Sequence, residues 1–166
     1  MTLRRLLFAL ASCFVFATFL VAQKPAPDPE PYLSPDEKAL LQLTNEARKK
    51  EGLPELKVSA KLLKVARSHS ANMAKQGKMS HELDDKKPDD RVKEAGYHYG
   101  HLGENVAFGQ LTPTEAMDTW LKSDEHRAII MDKDFVDVGL GVAKGANGTL
   151  YWTQVFARPP KPKPAP

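Results

Sequence analysis

The chain has 166 residues, with 24 Lys and Arg against 21 Asp and Glu, 13 prolines and a single cysteine. That length suits one domain with one core. One cysteine excludes an internal disulfide framework and a cysteine-built metal site, and a formal net charge of +3 leaves no electrostatic footprint for nucleic acid.

The first element is a leader. Met1 to Arg5 is short and basic, and 17 uncharged residues rich in Leu, Phe, Ala and Val follow from Leu6 to Ala22. This predicts a secretory signal peptide over 1–22 and a secreted or cell-envelope protein. The run is shorter than the ~20 apolar residues of a spanning helix, so membrane attachment is expected only if the segment is not cleaved. Leu10-Ala11-Ser12-Cys13 resembles an acylation box, yet nine largely apolar residues follow the cysteine, which argues against a lipidated terminus there. Cleavage after Ala22 removes Arg4, Arg5 and Cys13, lowering the formal charge to +1. The mature chain must then hold its fold in an oxidising compartment by packing alone.

Two proline-rich stretches frame the remainder. Residues 23–33 form a linker with proline at alternate positions, and residues 158–166 form a tail; both read as extended, solvated spacers. The domain is predicted over 34–157.

Its first half reads helical. Ser34-Pro35-Asp36-Glu37 is a capping box with proline at the first helical position, and Gly52 closes that helix. Ser59 caps a second helix, along which Leu62, Ala66, His69 and Met73 form one stripe. Pro88-Asp89-Asp90 opens a short helix that stops at Gly96. Thr112-Pro113-Thr114-Glu115 is a second capping box, for a helix through Met117 and Trp120.

The last third changes period. Val136, Val138, Leu140 and Val142 alternate with Asp137, Gly139, Gly141 and Ala143, as in a half-buried strand. Leu150 to Phe156 is a second strand, and Gly145-Ala146-Asn147-Gly148 joins the two as a hairpin. Val106-Ala107-Phe108 adds a short strand. Helices followed by an antiparallel sheet predict an α+β fold.

One carboxylate lies between two imidazoles: Glu104 follows His81 by 23 residues and precedes His126 by 22. Two neutral histidines and a carboxylate suit zinc with an open position, and the same set suits a general base near neutrality. No pair sits at helical ligand spacing. The competing reading is architectural: Gly103 and Asn105 suit a tight turn that Glu104 anchors, with both histidines bonded to backbone. His69 reads as a satisfied core histidine, and His98 and His101 as loop residues before Glu104. Trp120 and Trp152 read as core. The chain contains no Gly-x-Ser-x-Gly elbow of an α/β hydrolase.

Ser80-His81, Gly103-Glu104-Asn105, Trp120 leading to His126-Arg127, Val138-Gly139-Leu140-Gly141-Val142 and Tyr151-Trp152-Thr153-Gln154-Val155-Phe156 together resemble the bacterial, disulfide-free branch of the CAP superfamily. That superfamily comprises cysteine-rich secretory proteins, antigen 5 and pathogenesis-related 1 proteins, also called SCP-like extracellular proteins. The resemblance spans Pro35 to Ala157. It implies a three-layer α-β-α sandwich with a central antiparallel sheet, and a surface cleft carrying two histidines and two acids that in some members hold a divalent ion. The first histidine falls on His81 and the first glutamate on Glu104. Ser123 stands at the second glutamate's position, with Glu125 two residues on, and Tyr151 stands where many members carry the second histidine. His126, in the Ser-x-x-His-Arg motif, is the candidate substitute. The implied cleft is therefore His81, Glu104, Ser123, Glu125, His126 and Tyr151, with His81, Glu104 and His126 as ligands for zinc or another divalent cation.

By the same resemblance the expected function is a non-enzymatic ligand-binding or interaction module, taking a lipid, a cell-wall component or a protein. The alternative is a metal-dependent hydrolase or protease using His81, Glu104 and His126.

Overall fold

The computed structural model describes residues 31–161. The predicted leader 1–22 with Cys13, the linker as far as residue 30 and the tail from residue 162 lie outside the described residues.

Helix α1 (Pro35–Lys50) begins with the predicted capping box: Ser34 Oγ accepts from the Glu37 amide, and Glu37 Oε2 accepts from the Ser34 amide at 2.8 Å. The chain turns away at Gly52, whose φ of +72° lies in the left-handed region open to glycine. Strand β1 (Lys57–Val58) leads to helix α2 (Ala60–Gln76), capped by Ser59 and ended by left-handed Gly77. Helix α3 is Pro88–Glu94 and strand β2 is His101–Phe108. Helix α4 (Pro113–Lys122) is capped by Thr112; its Glu115 carboxylate reaches the Leu111 amide instead of closing the predicted box on Thr112. Helix α5 (Asp124–Ile130) follows at once, then strands β3 (Asp137–Lys144) and β4 (Leu150–Arg158).

The sheet order is β1-β3-β4-β2. The β3–β4 and β4–β2 pairs are antiparallel, as predicted, but the sheet is mixed because two-residue β1 joins β3 in parallel. Helices cover both faces. On one, Val138, Leu140, Trp152 and Phe156 pack with Leu40, Met117, Trp120 and Ile130 of α1, α4 and α5. On the other, Val155 and Ala157 pack with Leu62, Val65 and Ala66 of α2 and Val92 of α3. The architecture is thus the α-β-α sandwich.

Strand β3 differs from its predicted half-buried state, since residues 138–141 are buried on both faces. Its glycines explain how. A Cβ on Gly139 would lie 2.1 Å from the Leu62 carbonyl, and one on Gly141 would lie 2.4 Å from the Ala66 oxygen. Helix α2 therefore rests its backbone directly on the strand. The predicted hairpin is present: Gly148 donates to the Gly145 carbonyl and has φ +87°.

Candidate functional site

The Gly103-Glu104-Asn105 segment lies within edge strand β2, paired to Phe156, Val155 and Gln154 of β4. It is not a tight turn, and His101 opens the strand rather than sitting in a loop. Successive side chains of a strand face opposite ways. Gly103 faces α5 and the loop after it, where a Cβ would meet Phe135 at 2.9 Å and Ile129 at 3.0 Å. Asn105 faces the same side, is fully buried and donates through Nδ2 to the His126 carbonyl at 3.2 Å. It also donates to Gln154 Oε1 at 3.4 Å, and Gln154 Nε2 donates in turn to Thr44 Oγ1 of α1 at 2.8 Å. Glu104, between them, turns to the opposite face.

There the Glu104 side chain is 2% exposed and engaged at both oxygens. Oε2 accepts from Arg91 Nη2 at 2.7 Å, and Oε1 accepts from His81 Nδ1 at 2.9 Å. A carboxylate facing a guanidinium accepts, so Nδ1 of His81 is the donor in this pair, and Nε2 has no hydrogen bond among the described residues. His69 Nε2 is 3.8 Å from Oε1, too far for a hydrogen bond; it donates instead to the Ser80 carbonyl at 2.8 Å. Burial, reinforced by Arg91 and His81, holds the His69 pKa below its ordinary value against the opposing pull of Glu104. The residue is a neutral core histidine with one satisfied nitrogen, while its Nδ1 has no partner among the described residues.

The other predicted cleft residues do not join this cluster. His126 sits on α5 with its backbone carbonyl held by Asn105, and its Nδ1 pairs with Ser123 Oγ at 2.9 Å. Burial first and His81 second hold its pKa below the ordinary value, against the pull of Glu125. Ser123 joins α4 to α5, and Glu125 is exposed. Tyr151 is 2% exposed, packed with Met73, Leu83 and Val106, so it belongs to the core and not to a cleft.

Of the expected triad, the structure brings His81 and Glu104 together, while His126 makes no hydrogen bond to either among the described residues. Among the described residues no group of three or more His, Cys, Asp or Glu is placed to hold a metal ion. Each Glu104 oxygen already accepts a hydrogen bond, from Arg91 or His81, and the guanidinium occupies the adjoining space. The residues present do not fit a divalent ion in this arrangement.

A cleft of about 430 Å³ opens beside the pair, lined by His81, Glu82, Lys87, Pro88, Asp89, Leu102, Gly103 and Glu104. A larger cavity of about 530 Å³ lies between α2, the 83–86 turn and α3, with His69 and Arg91 on its wall. It stands behind the Glu104 pair.

Sequence reasoning missed Arg91. Its only signal was a cation beside fully buried Val92 on a short helix, with nothing to say which carboxylate it meets. His101 was also underrated. Its Nε2 pairs with Asp132 at 2.7 Å and its ring stacks on Phe135 at 4.5 Å.

Residues 41–156 match the CAP, cysteine-rich secretory protein, family. The chain is 36% identical over 121 residues to the uncharacterized protein YkwD of Bacillus subtilis, covering 72% of this chain and 46% of that one. It superposes on an extracellular protein containing an SCP domain from Bacillus anthracis with a TM-score of 0.69 and 26% identity, over 77% of this chain and 45% of that one. An outer surface protein of Borrelia burgdorferi shares the fold with a TM-score of 0.71 at 22% identity, over 75% and 93% of the two chains. The class defined by fold and matched residues is the SCP-like α-β-α sandwich, and this chain belongs to the CAP family. It spans under half the length of YkwD.

Proposed function

We propose that this protein works outside the cytoplasm, secreted or held at the cell envelope, as a binding domain that recognises its partner in the cleft beside His81 without transforming it. The full engagement of Glu104 carries this reading. A general base must meet the substrate's proton, and the Glu104 side chain is 2% exposed, with one oxygen held by Arg91 and the other by His81. The carboxylate instead orients the half-exposed His81 ring through Nδ1 and leaves the Nε2 edge available to a polar partner.

The lining suggests the partner's chemistry. Glu82, Lys87 and Asp89 give the cleft mixed charge, and Pro88 and Leu102 give it a small apolar floor. Such a surface suits a polar cell-wall fragment or a protein segment carrying N–H or O–H donors better than an acyl chain. The test is a titration of the full chain, followed by NMR or calorimetry, with soluble wall glycopeptides and with acyl-lipid micelles. Saturable glycopeptide binding that His81→Ala abolishes supports the reading. Lipid binding indifferent to His81→Ala would refute it.

The 2.9 Å Ser123–His126 contact favours one second reading, a hydrolase in which His126 activates Ser123. A hydrolase screen with Ser123→Ala as control decides it, since turnover unaffected by that substitution removes it.

A further inference from the structure

We propose that Arg91 is the resident cation of the Glu104 site, doing with a tethered guanidinium what a divalent ion does in a metal-built loop, and that its charge keeps metal out. The inference stands on the Arg91 geometry and is independent of which ligand the cleft takes.

Arg91 gathers three oxygens. Nη1 donates to the carbonyls of His81 and Lys86, each at 2.9 Å, and Nη2 donates to Glu104 Oε2 at 2.7 Å. A carboxylate and two backbone carbonyls are the donor types a hard divalent cation collects. Here the planar fork of arginine collects them. The three oxygens belong to the residue-81 loop, the turn closed by the Leu83–Lys86 bridge, and edge strand β2. That turn holds Asp84 and Asp85 at φ +53° and +57°, in the left-handed region that aspartate enters more readily than most residues, and Asn72 and Gln76 of α2 donate to the Asp84 carboxylate. Arg91 adds a second tie, from α3, which is anchored in the core by Val92.

The Arg91 side chain is 11% exposed and its Nε has no partner among the described residues. Its charge is therefore only weakly screened by solvent. A dication brought to Glu104 would sit a few ångströms from that charge and would compete with it for the same oxygen. The His81–Glu104 pair can accept a metal only after Arg91 leaves.

The experiment uses the full chain with Zn²⁺ as the probe, read by thermal denaturation and calorimetry. Wild type is expected to melt at one temperature in EDTA and in Zn²⁺. Arg91→Lys keeps the charge and remains indifferent to Zn²⁺. Arg91→Gln removes the charge; it melts lower and gains a saturable Zn²⁺ site roughly tenfold or more tighter than wild type, lost again on adding His81→Ala. A merely structural arginine would give the lower melting temperature without the new site. The proposal is overturned if EDTA lowers the wild-type melting temperature, if the purified protein carries stoichiometric metal, or if Arg91→Gln binds Zn²⁺ no better than wild type. Should Arg91→Gln fail to fold, Arg91→Lys decides, because a lysine variant that acquires the Zn²⁺ site overturns the charge argument. A failure of the cleft-binding reading would leave all of these results unchanged.

Discussion

The His81 imidazole meets Glu104 across 2.9 Å with 52% of its side chain exposed, while its carboxylate partner is 2% exposed. The pair is therefore asymmetric. Glu104 belongs to the fold and His81 belongs to the surface.

That asymmetry separates two substitutions. Glu104→Gln leaves the Arg91 charge buried without a counter-charge, which costs about 3 kcal/mol. His81→Ala removes a half-exposed partner and costs about 1 kcal/mol or less. Denaturant unfolding of both variants checks this, and equal losses would show that the carboxylate is not structurally committed.

Close packing of α2 on β3 makes glycine obligatory at residue 139. In Gly139→Ala the new methyl would lie 2.1 Å from the Leu62 carbonyl carbon, and backbone there has no flexible end to move. The expected loss is about 3 kcal/mol or more. Gly148→Ala meets only the end of Lys144, but its φ of +87° still strains the turn, so it should lose about 1 kcal/mol. A folded Gly139→Ala of wild-type stability would contradict the packing described.

Asn105 links three elements through the His126 carbonyl, Gln154 and, through it, Thr44. Asn105→Leu strands the part-buried His126 carbonyl and the buried Gln154 amide oxygen, at about 1–3 kcal/mol. It should also loosen α5 against β2, visible as faster amide exchange across residues 124–130. Unchanged exchange there would mean that the network does not hold the helix.

Stability should fall on mild acidification. His69 and His126 both have folded pKa values below the ordinary 6.5, each lowered first by burial. The unfolded chain therefore takes their protons first, so their contribution is complete above about pH 6.5 and is lost as pH falls through the folded values. Glu37 and Asp132 are also lowered. Burial pushes each up, but Arg67 and the Ser34 amide outweigh it at Glu37, and the Asp134 amide and His101 outweigh it at Asp132. Their share is lost only below their ordinary values of 4.5 and 3.8. Melting temperature should thus decline in two stages, and His126→Asn should shrink the first. A flat profile from about pH 7.5 to 5 would exclude the histidine linkage.

The helix starts were legible in the chain because caps are local. Ser34, Ser59 and Thr112 each bond an amide within three residues. The hairpin was legible for the same reason, since Asn147 and Gly148 form the turn by themselves. The α5 helix and parallel β1 were not, because seven and two residues carry too little periodicity and are held by long-range partners. One such partner is Arg48, which donates to the carbonyls of Ile130 and Asp132 at the end of α5.

By itself the sequence determined that His81 and Glu104 were candidates for chemistry, the order of the motifs and the family they mark, since each depends on residue identity and near neighbours. Only the tertiary structure decided how they combine. Reading Gly103-Glu104-Asn105 as a turn leaves Glu104 and Asn105 free to point the same way; as an edge strand it sends them to opposite faces. The partner that completes Glu104, Arg91, comes from α3 and follows from no spacing. Chain-local physics selects donors and acceptors, whereas strand alternation and helix packing choose which of them meet.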